Sequence, residues 1–165
     1  VQLDAHPDLH PTFDGSAFSH ACTGWRLLQL EGVESLSQIG VRALTRVQAL
    51  EAEKEKDRLR IFLARDLEGA VPRLAHIPKD AAVYLTLDLD VFDPGCAPGV
   101  SHPVPGGLTA RQVLDMMQSA EWNLVGMDVV ELNPQRDLNQ MTAVLAARLL
   151  HEGMAAAYLR HLDLD

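Results

Sequence analysis

Short apolar runs alternate with helical stretches along this chain, which predicts an α/β fold built on a mainly parallel sheet. The strand signal is clearest at Ala82 to Leu89 (AVYLTLDL), rich in β-branched and aromatic residues and bounded by Pro78 and Pro94. The helical signal is clearest near the C-terminal end. There Leu138, Met141, Leu145, Leu149 and Glu152 recur along one side of a helix expected from about Leu138 to His161. Apolar residues make up 47% of the 165 and charged residues 22%, enough for a core and too little charge for disorder, so a single domain over 1–165 is expected.

In chain order, Val1 to Leu3 reads as the end of a strand, so the sequence opens inside an element, as a fragment would. Ser19 to Leu30 is expected to be helical, Leu36 to Val41 (LSQIGV) a strand, and Thr45 to about Asp57 a charged, exposed helix. Leu59 to Leu63 reads as a short strand, followed by a helix around Leu67 to His76. Thr109 opens a further helix through a capping box, because Gln112 can return the cap hydrogen bond. Leu124 to Leu132 (LVGMDVVEL) is the last expected strand.

A formal net charge of -9, from 23 acidic and 14 basic residues, argues against nucleic acid and anionic membrane partners. No apolar stretch approaches the roughly 20 residues of a spanning helix, and no basic-then-apolar leader opens the sequence. The two cysteines, Cys22 and Cys96, are far apart and in no metal-ligand spacing, so a reducing compartment, the cytoplasm, is expected.

Chemistry concentrates where strands end, the edge at which sheets of this kind gather ligands. In Asp4-Ala5-His6-Pro7-Asp8, acidic and imidazole groups fall on every second position, which share a face if the segment is extended. A plain polar loop explains that motif equally well in isolation. In Asp88-Leu89-Asp90-Val91-Phe92-Asp93-Pro94, Asp88 and Asp90 form a second pair at the mouth of an apolar strand, with Asp93 as a turn or supporting residue. Two carboxylates about 4 Å apart repel by roughly 4 kcal/mol at an effective dielectric near 20, so such a pair needs a proton, an Arg or a metal. Neither motif contains Lys or Arg. Hard oxygen ligands with an imidazole suit Mn²⁺, Mg²⁺ or Fe²⁺. The stretch from Pro94 to Leu108, rich in Pro and Gly, is a shaped loop without the Lys of a phosphate-binding loop. Glu131 ends a later strand and could hold a cation or simply be solvated; His20 could shuttle protons or be structural.

These motifs together resemble the ureohydrolase family of arginase, agmatinase and their relatives. DAHPD at 4–8 resembles the family's Asp-Ala-His-x-Asp element. LDLDVFDPGCAPG at 87–99 with PGGL at 105–108 is similar to its Asp-x-Asp-x-x-Asp-Pro block, and GMDVVELNP at 126–134 to its third motif. The resemblance implies a three-layer arginase-like fold with a mainly parallel sheet whose N-terminal strands lie outside this sequence. It implies two Mn²⁺ ions, with Asp4 and Asp88 bridging them, Asp8 on the first ion, and His6 and Asp90 on the second. Glu131 would hold the substrate guanidinium, and His20, in its FSHA context, would contact substrate and move protons. A further His ligand belongs to a Gly-Gly-Asp-His-Ser element upstream of the family's first motif, and this sequence begins three residues before its own copy. His10 and His102 are the imidazoles that could stand in for it, although nothing in their spacing recommends them.

The implied reaction is hydrolysis of a small cationic guanidino compound to urea and an amine, agmatine to putrescine first, by a homo-oligomer. FDGSAFSHA and APGVSHPVPGGL lean towards agmatinase, while Ser101-His102-Pro103 leaves arginine, guanidinobutyrate and formiminoglutamate open. A catalytically silent metal-binding fragment is the alternative from a different class.

Overall fold

The computed structural model describes residues 1–67, 69 and 72–162, apart from the side chains of 160–162. The strands are β1 (Gln2–Leu3), β2 (Leu36–Val41), β3 (Leu59–Leu63), β4 (Ala82–Asp88) and β5 (Asn123–Val130). The helices are α1 (Thr23–Leu28), α2 (Arg46–Lys54), α3 (Ala110–Ser119) and α4 (Met141–Leu162). Every strand pairing is parallel, in the order β3-β2-β1-β4-β5. From β1 the chain moves outward through β2 to β3, then returns to β1's other side for β4 and β5. The switch point therefore lies between β1 and β4, where a sheet of this topology opens a crevice at its carboxyl edge.

Side-chain alternation assigns the two faces. Leu3, Ile39, Leu85 and Leu87 pack with Val113, Met116 and Met117 of α3 and Ala146 and Leu149 of α4. On the opposite face Leu36 and Leu59 meet Leu28 of α1 and Ala52 of α2. That second layer covers β2 and β3, while over β4 and β5 the same face leaves Tyr84 and Val125 more than half exposed, at 53% and 62%.

The expected capping box of α3 is present, with Thr109 accepting from the Gln112 N–H and Gln112 accepting from Thr109 in return. A second box, Thr45 with Gln48, opens α2. Three expectations need correction. The helix expected around Leu67 to His76 falls partly on 68, 70 and 71, outside the described residues. Residues 72–76 are irregular chain and turn, with Leu74 at φ 48°, which a helix cannot hold. The last helix starts at Met141 rather than Leu138, because Asn139 and Gln140 take positive φ. Asp137 instead caps it, accepting from the N–H groups of Thr142 and Ala143. The first helix is shorter than Ser19 to Leu30 and is entered through a 3-10 turn at His20–Cys22, whose N-cap is Ser19.

Candidate metal centre

β1 and β4 end side by side, and each delivers its acidic motif through a turn rather than the extended geometry the sequence suggested. After β1 the chain bends at Ala5 and His6, with the His6 N–H donating to Asp4 Oδ1 at 2.6 Å. After β4 a 3-10 turn at Leu89–Val91 is capped by Asp88, whose Oδ1 accepts from the Asp90 N–H at 2.8 Å. The bend turns the His6 ring and the Asp90 carboxylate towards one point. His6 Nδ1 lies 2.9 Å from Asp90 Oδ2 and 3.6 Å from Asp4 Oδ1. The Ala5 N–H donates to the other Asp90 oxygen at 3.0 Å and locks the two motifs together.

Ligand atoms of Asp4, His6 and Asp90 lie within 4.8 Å of one another. Two carboxylate charges at that spacing repel by roughly 3–4 kcal/mol at an effective dielectric of about 20. Asp4 and Asp90 are both nearly inaccessible to solvent. Burial pushes Asp4 up to about 6, against hydrogen bonds from His6. Burial and then the Asp4 charge push Asp8 up to about 8, and Glu131 adds to the effect. Burial, followed by Asp4 and Asp90, pushes Asp88 up to about 10. Burial also opposes ionisation of Asp90, but the His6 ring and the Ala5 N–H hold it below the usual carboxylate range. His6 is raised to about 10 by its bonds to Asp4 and Asp90. The cluster therefore shares protons where a cation would otherwise compensate it. Oxygen and imidazole donors converging without a Lys or Arg side chain bonded to them among the described residues fit a hard divalent ion.

A buried amide relay supports Asp4. Gln38 donates from Nε2 to the Pro7 carbonyl at 2.6 Å and to Gln2 Oε1 at 2.9 Å, and Gln2 donates to Asp4 Oδ2 at 2.8 Å. Both Asp4 oxygens thus have a protein donor and keep further lone pairs free. Sequence reasoning missed both glutamines, because each reads as an ordinary strand residue until the neighbouring strand is known.

Asp8, Asp88, Glu131 and His20 fall outside this three-residue cluster among the described residues, although the Asp4 charge acts on both Asp8 and Asp88. Asp8 (φ 50°) and Glu131 (φ 67°) both hold the left-handed conformation, which non-glycine residues enter at a cost and which clusters at functional sites. Glu131 follows β5 and is near enough to act on Asp8. His20 is exposed and bonds to none of the carboxylates among the described residues; instead its ring stacks on His102 with centroids 5.6 Å apart. His102 meets the His6 ring edge-on at 6.5 Å and so bridges His6 to His20. The loop of His20 is fixed by Arg26, which donates to the Ala17 carbonyl at 2.8 Å and lies over the Phe18 ring at 4.9 Å. Neither His10 nor His102 joins the three-residue cluster among the described residues, and His10 packs on Phe13 with centroids 5.5 Å apart.

The proline- and glycine-rich loop is rigid for legible reasons. Asp93 accepts from Gly95 and Gly106, each at 2.9 Å, and ties the two ends of the loop together. Gly107 lies so close to Phe92 that an added Cβ would sit 2.4 Å from its carbonyl carbon. The Gly99 N–H donates to Thr142 Oγ1 at 2.8 Å, and its carbonyl accepts from Asn133, pinning the loop to α4 and to the chain after β5.

These features define a parallel α/β chain with an aspartate–histidine cluster, fit for a metal, at its switch point. The chain belongs to the arginase family, whose model it matches over residues 1–156. It is 40% identical over 157 residues to mitochondrial arginase 1 of Oryza sativa subsp. indica, covering 92% of this chain and 45% of that protein. It is 39% identical over 148 residues to an N(1)-aminopropylagmatine ureohydrolase of Thermus thermophilus, covering 87% of this chain and 49% of the relative. Among solved structures it resembles the agmatine ureohydrolase of Thermoplasma volcanium, with a TM-score of 0.85, 28% identity, and 98% of this chain against 55% of that one. The chain thus spans about half the length of these relatives.

Proposed function

We propose that this chain carries the greater part of a two-manganese active site that hydrolyses a guanidino group to urea and an amine. The convergence of Asp4, His6 and Asp90 at the sheet's switch point carries the reading. His6 and Asp90 would hold one ion and Asp8 the other, with Asp4 and Asp88 shared between them. Mn²⁺ held there would supply Lewis acidity and acidify water near neutral pH.

The rest falls to the chain's own side chains. Glu131 binds the planar guanidinium by charge-assisted hydrogen bonds and turns its carbon towards the cluster. His20, stacked at the mouth on His102, carries a proton to the leaving amine nitrogen or to solvent.

Agmatine is the first substrate of this reading, on the FSHA and APGVSHPVPGGL segments. Arginine is the second, supported by the rice arginase, which is as similar to this chain as the aminopropylagmatine enzyme is. Two cysteines that form no disulfide accord with a reducing compartment, for which cytoplasm is the reading here. The rice relative is mitochondrial by name, and no described helix is long and apolar enough to cross a membrane. The deciding experiment measures urea from agmatine, arginine and guanidinobutyrate with Mn²⁺ added and bound metal counted. Urea from one of them with manganese bound supports the reading. Manganese bound without urea from any leaves the alternative of a silent metal-binding chain, and no bound metal overturns the reading.

A further inference from the structure

Arg42 stands just past β2, half-buried, and no carboxylate pairs with it among the described residues. Its guanidinium is spent on backbone carbonyls from three separate segments. Nη1 donates to Gly40 at 3.1 Å and Val91 at 3.2 Å. Nη2 donates to Asp90 at 2.7 Å, Phe92 at 3.2 Å and Val104 at 2.7 Å, and Nε donates to Val104 at 3.0 Å. Three consecutive carbonyls, from Asp90 to Phe92, therefore point at one side chain. The Asp90 carboxylate is turned to His6 and the Ala5 N–H, so this residue is held at its main chain by Arg42 and at its side chain by the facing motif.

We propose that Arg42 is a positioning residue of the metal centre, clamping the Leu89–Phe92 turn through its carbonyls so that the Asp90 carboxylate is in place before any ion arrives. The inference rests on the metal-centre reading above. A planar fork with five N–H donors can gather carbonyls arranged around it, whereas an ammonium group offers three donors at one point. A half-buried guanidinium facing only neutral acceptors carries a desolvation cost, and desolvation indeed lowers its pKa, while Asp90, Asp93 and Asp4 act in the opposite sense. The same clamp reaches Val104, so it also ties the His102 loop to the ligand turn.

The test compares Arg42→Lys and Arg42→Gln with the unaltered protein in Mn²⁺ binding, metal-free melting and amide exchange. With the fork as the active feature, both variants bind Mn²⁺ roughly 10–100-fold more weakly, the usual effect of losing an outer support. The amides of Asp90, Asp93 and Leu108 exchange roughly tenfold faster or more in both, because they report the order of this turn. Wild-type affinity and wild-type exchange in Arg42→Lys overturn the proposal, since a lysine would then rescue a role that is only charge. A second measurement needs no variant. In the metal-free unaltered protein these amides are already protected; protection that arises only on adding Mn²⁺ also overturns the proposal. Failure of the unaltered protein to bind Mn²⁺ defeats the metal-centre reading instead, while exchange still judges whether Arg42 orders the turn.

Discussion

Gln38→Leu tests how far the metal centre depends on neutral groups behind it. Gln38 is fully buried between Pro7 and Gln2, and its own Oε1 has no partner among the described residues. Leucine has nearly the same volume, so the change leaves little cavity and acts through hydrogen bonds. It strips the donor from two buried acceptors, the Pro7 carbonyl and Gln2 Oε1. Each orphaned acceptor costs about 1–3 kcal/mol, and removing the orphaned Gln38 oxygen returns about the same for one group, leaving a net loss of about 1–3 kcal/mol. For a chain of this size that lowers the melting temperature by about 2–4 °C per kcal/mol.

The consequence for the site is separable. Without Gln38, the Gln2 amide is free to turn, and the hydrogen bond to Asp4 Oδ2 loses its orientation. Mn²⁺ affinity is then expected to fall roughly tenfold, at the lower end for an outer support. Paired melting and equilibrium dialysis of Gln38→Leu, Gln2→Leu and the double variant separate the effects. The two single losses should fail to add by about 0.5–3 kcal/mol, because the glutamines act as one relay. Additive losses, or an unchanged Gln38→Leu, would refute the relay.

Stability of the metal-free chain should fall as pH rises. Asp4, raised from 3.8 to about 6, and Asp8, raised to about 8, bind protons more tightly folded than unfolded, so their contribution is complete below pH 3.8 and is lost through those values. Mn²⁺ displaces the same protons, so the rise in melting temperature on adding it should be larger at about pH 8 than at about pH 5; an equal rise at both counts against proton–metal competition. Asp88→Asn should lower bound manganese together with urea release, whereas Glu131→Gln should keep the metal and lose turnover; metal loss in the second variant would contradict the guanidinium role. Gly107→Ala should destabilise the chain by more than about 1 kcal/mol, because the new Cβ meets Phe92 main chain rather than a movable side chain, and thermal unfolding at the wild-type temperature would show that the loop yields freely.

Much of the fold was legible because a parallel sheet writes itself in apolar runs. β4 and β2 are buried on both faces at their carboxyl ends, so residues such as Leu85, Leu87 and Ile39 announce them. Thr45 and Thr109 mark helix starts by a local bond that sequence can carry. What failed were boundaries set by left-handed residues, as at Leu74 and Gln140, whose side-chain types give no warning, and at Asn139, whose type favours that conformation without requiring it. Within the site, Asp4, His6, Asp8, Asp88, Asp90 and Glu131 could be nominated because acids at apolar strand ends are conspicuous. The route by which Asp4, His6 and Asp90 converge could not, since it depends on the His6 N–H bending to Asp4 and on the Asp88 cap. Gln2, Gln38 and Arg42 were hidden for a further reason. Each gains its role from a partner between 31 and 62 positions away.

The supporting groups share a pattern that bears on why this edge takes a cation. Neutral donors, the Gln2 amide and the Ala5 and His6 N–H groups, fix the carboxylates from behind. The nearby Arg42 guanidinium is turned away onto carbonyls, where it holds the turn without forming an ion pair with Asp90. Had Arg42 bonded the carboxylate directly, the repulsion among Asp4, Asp88 and Asp90 would be largely satisfied within the protein and little would remain for a ligand. As arranged, protons offset it, held by His6 and by the buried carboxyls of Asp4 and Asp88, and protons are what a divalent ion displaces. The carboxylates are rigid in position and incompletely compensated in charge. In the proposed site that combination would favour a small hard cation, and it rests on Arg42 serving the main chain.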